Sequence, residues 1–320
     1  MIWICFYLLV SLMFTGLYHQ MTTEWTGEEY AAFISMSNNH GFSTALFPFR
    51  VLIPLLGRLA AYLVPLGWAW IFRGFTAIFT FLALVVYRRY LSNFMRADFA
   101  SVFSLALIYP MIWNLGLLNR LFFPFDVPSV MFFILGCDLI YRRSWRAYYI
   151  VLALATLNRE TSFMLIAVFL LVMWGDLGKR ALAKHLMAQV FLWIVVKGLI
   201  YAAVGPDQRV FSPVRLQVNY QCLRDIALLR NNGPKDLVKF ALCCGGVYWF
   251  IPLVLPGQPR FLKRSLIAVI PFIGVIAVMG ILDEIRSFLE MIPLVLTPLV
   301  YRVAAGLGGA IPPGSRAENL

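Results

Sequence analysis

The stretch AYYIVLALATLNRETSFMLIAVFLLVMW, residues 147–174, is apolar except at its centre, where Asn158-Arg159-Glu160-Thr161 stand in a row. As one straight helix it would run about 42 Å, against a bilayer hydrocarbon core of roughly 30 Å. Split at the polar tetrad it gives half-helices of roughly 16 and 20 Å, each too short to cross. Basic residues flank both ends, with Arg142, Arg143 and Arg146 before it and Lys179, Arg180 and Lys184 after it. A hairpin that enters and leaves on one side agrees with the excess of Lys and Arg in cytoplasmic loops. A charged side chain at membrane depth is expensive unless it pairs or faces water, so Arg159 and Glu160 at the hairpin tip mark a functional cavity. The alternative, a single span, inverts the orientation of everything after it.

The rest of the chain supports a membrane setting. Of its 320 residues 61% are hydrophobic and only 13% charged, and this balance belongs to a polytopic membrane protein. The expected fold is all-α, with about eight to ten membrane helices including the broken hairpin. The expected domain organisation is one transmembrane domain over residues 1–305 and a disordered tail over 306–320, which carries glycines, Pro312-Pro313 and Ser315. The formal charge of +12 is distributed as short basic runs between apolar segments, so it calls for no nucleic acid. Cys5, Cys137, Cys222, Cys243 and Cys244 show no metal-ligand spacing and read as buried or lipid-facing thiols. The apolar N-terminus, 2–17, lacks a basic leader and a small-residue cleavage site and reads as a retained first span.

In order, the pattern predicts a first span over 2–18 and a polar stretch over 19–49. Residues 47–63 then form an interfacial helix with Arg50 and Arg58 near one face. Spans follow near 68–87 and 99–118, and a proline-broken turn over 119–128 holds Asp126 between Pro124 and Pro128. Beyond the hairpin come spans near 186–204, 240–255 and 265–282, a surface helix over 216–229, and a last span beginning near 288. One observation opposes this topology: the outer segment 205–239 carries several basic residues. The short, dense basic loops outweigh it.

This arrangement gathers Glu28, Glu29, Asp126, Glu160, Asp283 and Glu284 near one membrane face, together with Arg50, Arg120, Arg159 and Arg286. Such a cavity suits a substrate with an anionic phosphate, a polar group and an apolar tail. An arginine clamps a phosphate bidentately, and a carboxylate accepts a proton from an attacking hydroxyl. Each residue also has a purely structural reading. Glu28 and Glu29 suit the first turn of a solvated helix, Asp126 suits a helix cap, and Arg159 with Glu160 suits a locking ion pair. Arg50 suits a snorkelling cation, and Asp283, Glu284 and Arg286 suit a solvated span end.

Four short motifs, in order, resemble the polytopic GT-C glycosyltransferases of bacteria. They are Gly27-Glu28-Glu29-Tyr30, Phe49-Arg50-Val51-Leu52-Ile53-Pro54, Asp126-Val127-Pro128 and Arg159-Glu160-Thr161 within a broken helix. The resemblance covers roughly the first 175 residues and implies an inverting transfer of sugar from a polyprenyl-phosphate-linked donor. The acceptor would be a glycan, a lipid or a protein. It implies a multi-pass protein of the bacterial inner membrane whose site faces the periplasm or cell exterior. The family's catalytic carboxylate falls on Glu28 or Glu29, where the family more often has Asp, and Asp126 matches an acid that assists the site or a metal. A divalent ion, Mg or Mn, is used by some members, and the residues here do not decide it.

Two rival readings share these features. A transporter or flippase for a lipid-linked or anionic substrate would use the broken hairpin as a gate. Transporter folds often carry internal repeats, and the two halves of this chain share neither motif nor loop lengths. A polysaccharide polymerase or ligase would use the same lipid-phosphate leaving group.

Overall fold

The computed structural model describes residues 2–22, 50–118, 122–204, 216–280, 282 and 284–311. Their regular elements are all helices, with no strand among them. Among the described residues seven helices are long and apolar enough to cross a membrane, so the chain is an all-α, multi-pass membrane protein. They are α1 (Ile2–Met21), α3 (Trp68–Leu91), α4 (Ala97–Leu117), α8 (Lys179–Ala203), α10 (Gly233–Val254), α11 (Arg260–Val278) and α12 (Ile285–Gly306). Between them lie the shorter α2 (Leu52–Leu63), α5 (Asp126–Tyr141), α6 (Trp145–Asn158), α7 (Met164–Met173) and α9 (Leu216–Ala227).

The chain divides into two compact units. One comprises Leu8–Ala83 and Arg120–Phe211, and the other comprises Met1–Tyr7, Leu84–Asn119 and Ser212–Leu320.

The first unit is built around the hairpin. Helix α6 ends at Asn158, Arg159 is extended (φ −157, ψ 142), and a single tight turn over Glu160–Phe163 leads into α7. The chain then doubles back on itself. Phe169 of α7 lies 5.6 Å from Trp145 and 6.2 Å from Tyr148, ring centroid to centroid. A straight helix would hold Phe169 about 36 Å from Trp145. Arg143 and Asp176, before and after the pair, come within 4.0 Å and close its base.

Helix α5 runs antiparallel to α6 through a turn at Arg142–Ser144, where Arg143 adopts φ 55. All of α5 is buried except Leu135 and Tyr141, with or without polarity, so its sequence shows no amphipathic stripe. Gly136 allows α7 to approach, because a Cβ there would meet Leu165 at 2.7 Å. Helix α8 runs beside α6, joined by Tyr148 Oη donating to Gln189 Oε1 at 3.0 Å and by Tyr149 Oη against His185 Nδ1 at 2.6 Å.

In the second unit, buried asparagines brace interrupted helices. Helix α10 breaks at Cys244, Gly245 and Gly246, all with positive φ, which two glycines make inexpensive. The Cys244 amide freed there donates to Asn114 Oδ1 at 2.8 Å, and Asn114 Nδ2 reaches the Ile285 carbonyl at 3.3 Å. Asn219 of α9 does the same for the end of α11, accepting from the Leu282 amide and donating to the carbonyls of Ala277 and Gly280.

Three expectations change. Pro128 does not break a helix but sits in the first turn of α5, where its missing amide proton would have had no partner. Arg50 is not on a helix face with Arg58, because α2 begins at Leu52. The start of the expected tail is held in place, the Arg96 amide donating to the Gly309 carbonyl and the Ile311 amide to the Phe94 carbonyl, both at 2.9 Å, and the remainder, 312–320, lies outside the described residues.

Two predictions follow from the hairpin. In a cysteine-free background, single probes at Ser144 and Gly178 should label from the same membrane face, and labelling from opposite faces would require a straight span. Gly136→Val should lower stability by about 1–3 kcal/mol through overpacking against Leu165, read as a loss of thermal stability in detergent.

Candidate functional site

The site forms where the first turn of α5, the end of α6 and the residues just before α2 converge. Helix α6 ends inside an apolar bundle, so its last carbonyls need donors. The Leu157 carbonyl accepts the Val51 amide at 3.0 Å, and Val51 packs with Leu157, Val196 and Ile200. That single backbone bond delivers Arg50 to the hairpin tip. Asn158 ties the same end to α5, its Nδ2 donating to the Phe125 carbonyl at 3.0 Å and to Ser129 Oγ at 2.9 Å. Across the break, Thr156 Oγ1 and Ser162 Oγ bond at 3.0 Å.

Two ion pairs result. Arg159 Nη1 lies 3.4 Å from Asp126 Oδ1, with both side chains almost wholly buried. Arg50 Nη2 donates to Glu160 Oε1 at 2.9 Å, and the Arg50 guanidinium stacks over the Phe125 ring at 4.3 Å. Glu160 is the exposed member, its side chain 46% accessible, so this pair opens outward while Arg159 and Asp126 stand behind it. The expected couple between Arg159 and Glu160 is therefore re-partnered. An extended residue sends neighbouring side chains to opposite sides, and Arg159 is extended. Glu160 hydrogen-bonds Arg50, while Arg159 reaches it only through the electrostatic field.

The structure thus brings together Arg50, Asp126, Arg159 and Glu160. Glu28, Glu29, Arg120 and Asp283 lie outside the described residues. Arg286 belongs to the other unit, where it is 2% exposed and pairs with Glu284 at 3.0 Å. It is a buried residue and not part of a solvated span end. The structural alternatives fare unevenly: Asp126 stands in the first turn of α5, where a carboxylate suits a helix start, and Arg50 is held by a carboxylate and a ring.

Two residues escaped the sequence reading. Asn158 was visible within the tetrad, and it proves to be the clamp between α5 and α6. Lys197, a lysine within the apolar C-terminal part of α8, is 8% exposed and interacts electrostatically with Glu160 and Arg50. The rule that flagged Arg159 applies equally to it.

Among the described residues no three His, Cys, Asp or Glu side chains converge as a metal site. Asp126 and Glu160 each face a guanidinium, and adjacent cations suit an anion better than Mg or Mn.

Arg159→Met should destabilise the protein by about 3–5 kcal/mol, because it leaves the Asp126 carboxylate buried without this counter-charge. Adding Asp126→Asn should recover much of the loss. A double-mutant cycle by denaturation in detergent measures both, and strictly additive losses would mean the two side chains do not hold each other.

Comparison with known proteins finds no matching family model, no matching curated protein and no matching solved structure.

Proposed function

We propose that this chain is an integral-membrane glycosyltransferase that moves a sugar from a polyprenyl-phosphate donor to an acceptor at the outer face of a bacterial inner membrane. The observation that carries this reading is the pair of ion pairs at a broken helix, Arg50 with Glu160 and Arg159 with Asp126, inside an otherwise apolar bundle. Guanidinium groups suit a phosphate whose apolar chain lies in the surrounding lipid, and here they would exchange part of their carboxylate pairing for it.

In the proposed reaction an acceptor hydroxyl attacks the anomeric carbon, the bond from that carbon to the phosphate oxygen breaks, and polyprenyl phosphate leaves. Glu28 or Glu29 takes the hydroxyl proton, and the sugar's configuration inverts. Arg50 and Arg159 stabilise the charge that grows on the departing phosphate, which is where fixed donors lower a barrier most. Asp126 positions Arg159, and Glu160 positions Arg50.

The test is consumption of a labelled polyprenyl-phosphate sugar by the purified protein in lipid. One of Glu28→Gln and Glu29→Gln should abolish transfer while donor binding persists, and transfer retained in both single variants would remove the proposed base. Arg50→Met should lower kcat/KM by roughly two orders of magnitude. Movement of intact donor between leaflets without consumption would establish the flippase reading instead.

A further inference from the structure

One cation at the hairpin tip is used by neither ion pair. Lys197 stands in α8, buried, and its Nζ makes no hydrogen bond among the described residues. Its level in the bundle is set by its neighbours. Trp193, one turn earlier, packs edge-on against Phe163 at 6.0 Å, just after the helix break. Val196 and Ile200 pack with Val51 and Leu157, the residues adjoining Arg50 and Asn158. The ammonium therefore lies at the height of the two ion pairs, within electrostatic range of Glu160 and Arg50.

Among the described residues this cluster holds three cationic side chains, Arg50, Arg159 and Lys197, and two carboxylates, Asp126 and Glu160. Glu160 answers Arg50 and Asp126 answers Arg159, while Lys197 is left with donors and no acceptor among the described residues. We propose that Lys197 binds the phosphate of a lipid-phosphate ligand at the hairpin tip, both the diester of the donor and the monoester that leaves from it. An ammonium offers three donors, a phosphate offers acceptors on every free oxygen, and a site poor in water strengthens their attraction. The proposal places the anion's entry at the Glu160 side of the tip, the exposed side of the Arg50 pair. This inference rests on reading the tip as the donor's phosphate site. The same chemistry is presented by a lipid phosphate and by free phosphate.

The experiment uses the full chain in detergent and follows ligand-induced thermal stabilisation by a short-chain polyprenyl monophosphate, the matching uncharged polyprenol, and inorganic phosphate. Wild type should be stabilised by the polyprenyl phosphate and not by polyprenol. Lys197→Met should weaken that binding roughly tenfold or more, with Lys197→Arg between the two. Without ligand, the methionine variant should melt at or above wild type, since it removes a buried charge from an apolar span. Should it fail to fold, Lys197→Gln gives the same comparison. Inorganic phosphate binding as tightly as the lipid, and losing affinity equally in the variant, would assign the site to free phosphate. Equal binding by wild type and variant, or stabilisation by polyprenol as great as by its phosphate, would overturn the proposal. Lys197-dependent binding without any sugar transfer would leave this site standing and end the glycosyltransferase reading.

Discussion

A helix that stops among apolar neighbours leaves carbonyls that water cannot reach, and the first unit depends on how those are answered at Asn158 and Arg159. The Arg159 amide still bonds back to Ala155, so α6 is complete up to the break. Beyond it the chain turns by one extended residue, and the Leu157 carbonyl is answered by a residue far away in sequence, Val51. Satisfying a backbone group thereby fixes where a side chain goes. Arg50 is at the tip because its neighbour's amide was needed there.

The same extended residue distributes the charges. With Arg159 and Glu160 sent to opposite sides, the unit holds one pair deep and one pair toward the surface. A buried ion pair is poor evidence of extra stability, since apolar residues of equal volume often serve as well. Two such pairs beside a lysine, with Phe125 closing one side of Arg50, form a polar cluster inside an otherwise apolar unit.

Much of the architecture was legible because length and hydropathy bear directly on bilayer dimensions: the hairpin, the spans and the surface helix at α9 all follow from them. The partners of the charges were not legible. Adjacency in sequence suggested that Arg159 binds Glu160, and only the φ and ψ of one residue decide otherwise. Arg50 was assigned to a helix face by its spacing to Arg58, whereas the helix begins two residues later. Lys197 went unremarked because a basic residue within a long apolar run reads as an interruption, although the burial argument for Arg159 covered it too. The braces at Asn114 and Asn219 had no sequence signal, since a buried amide is recognised only by the broken helix it serves.

The near-complete burial of α5 bears on how the protein is made. A sixteen-residue segment enclosed by protein, carrying Asp126 at one end and Asp138 near the other, presents neither the length nor the uniform hydrophobicity that partitions a helix into lipid by itself. Its arginine partner at 159 and the neighbouring α8 are translated after it. During synthesis, Asp126 therefore has no Arg159 to neutralise it, and α5 becomes a settled membrane element only after residues far downstream have emerged. The burial of α5 is thus coupled to residues downstream of it, because a counter-charge for Asp126 is supplied by Arg159, at the end of the next helix.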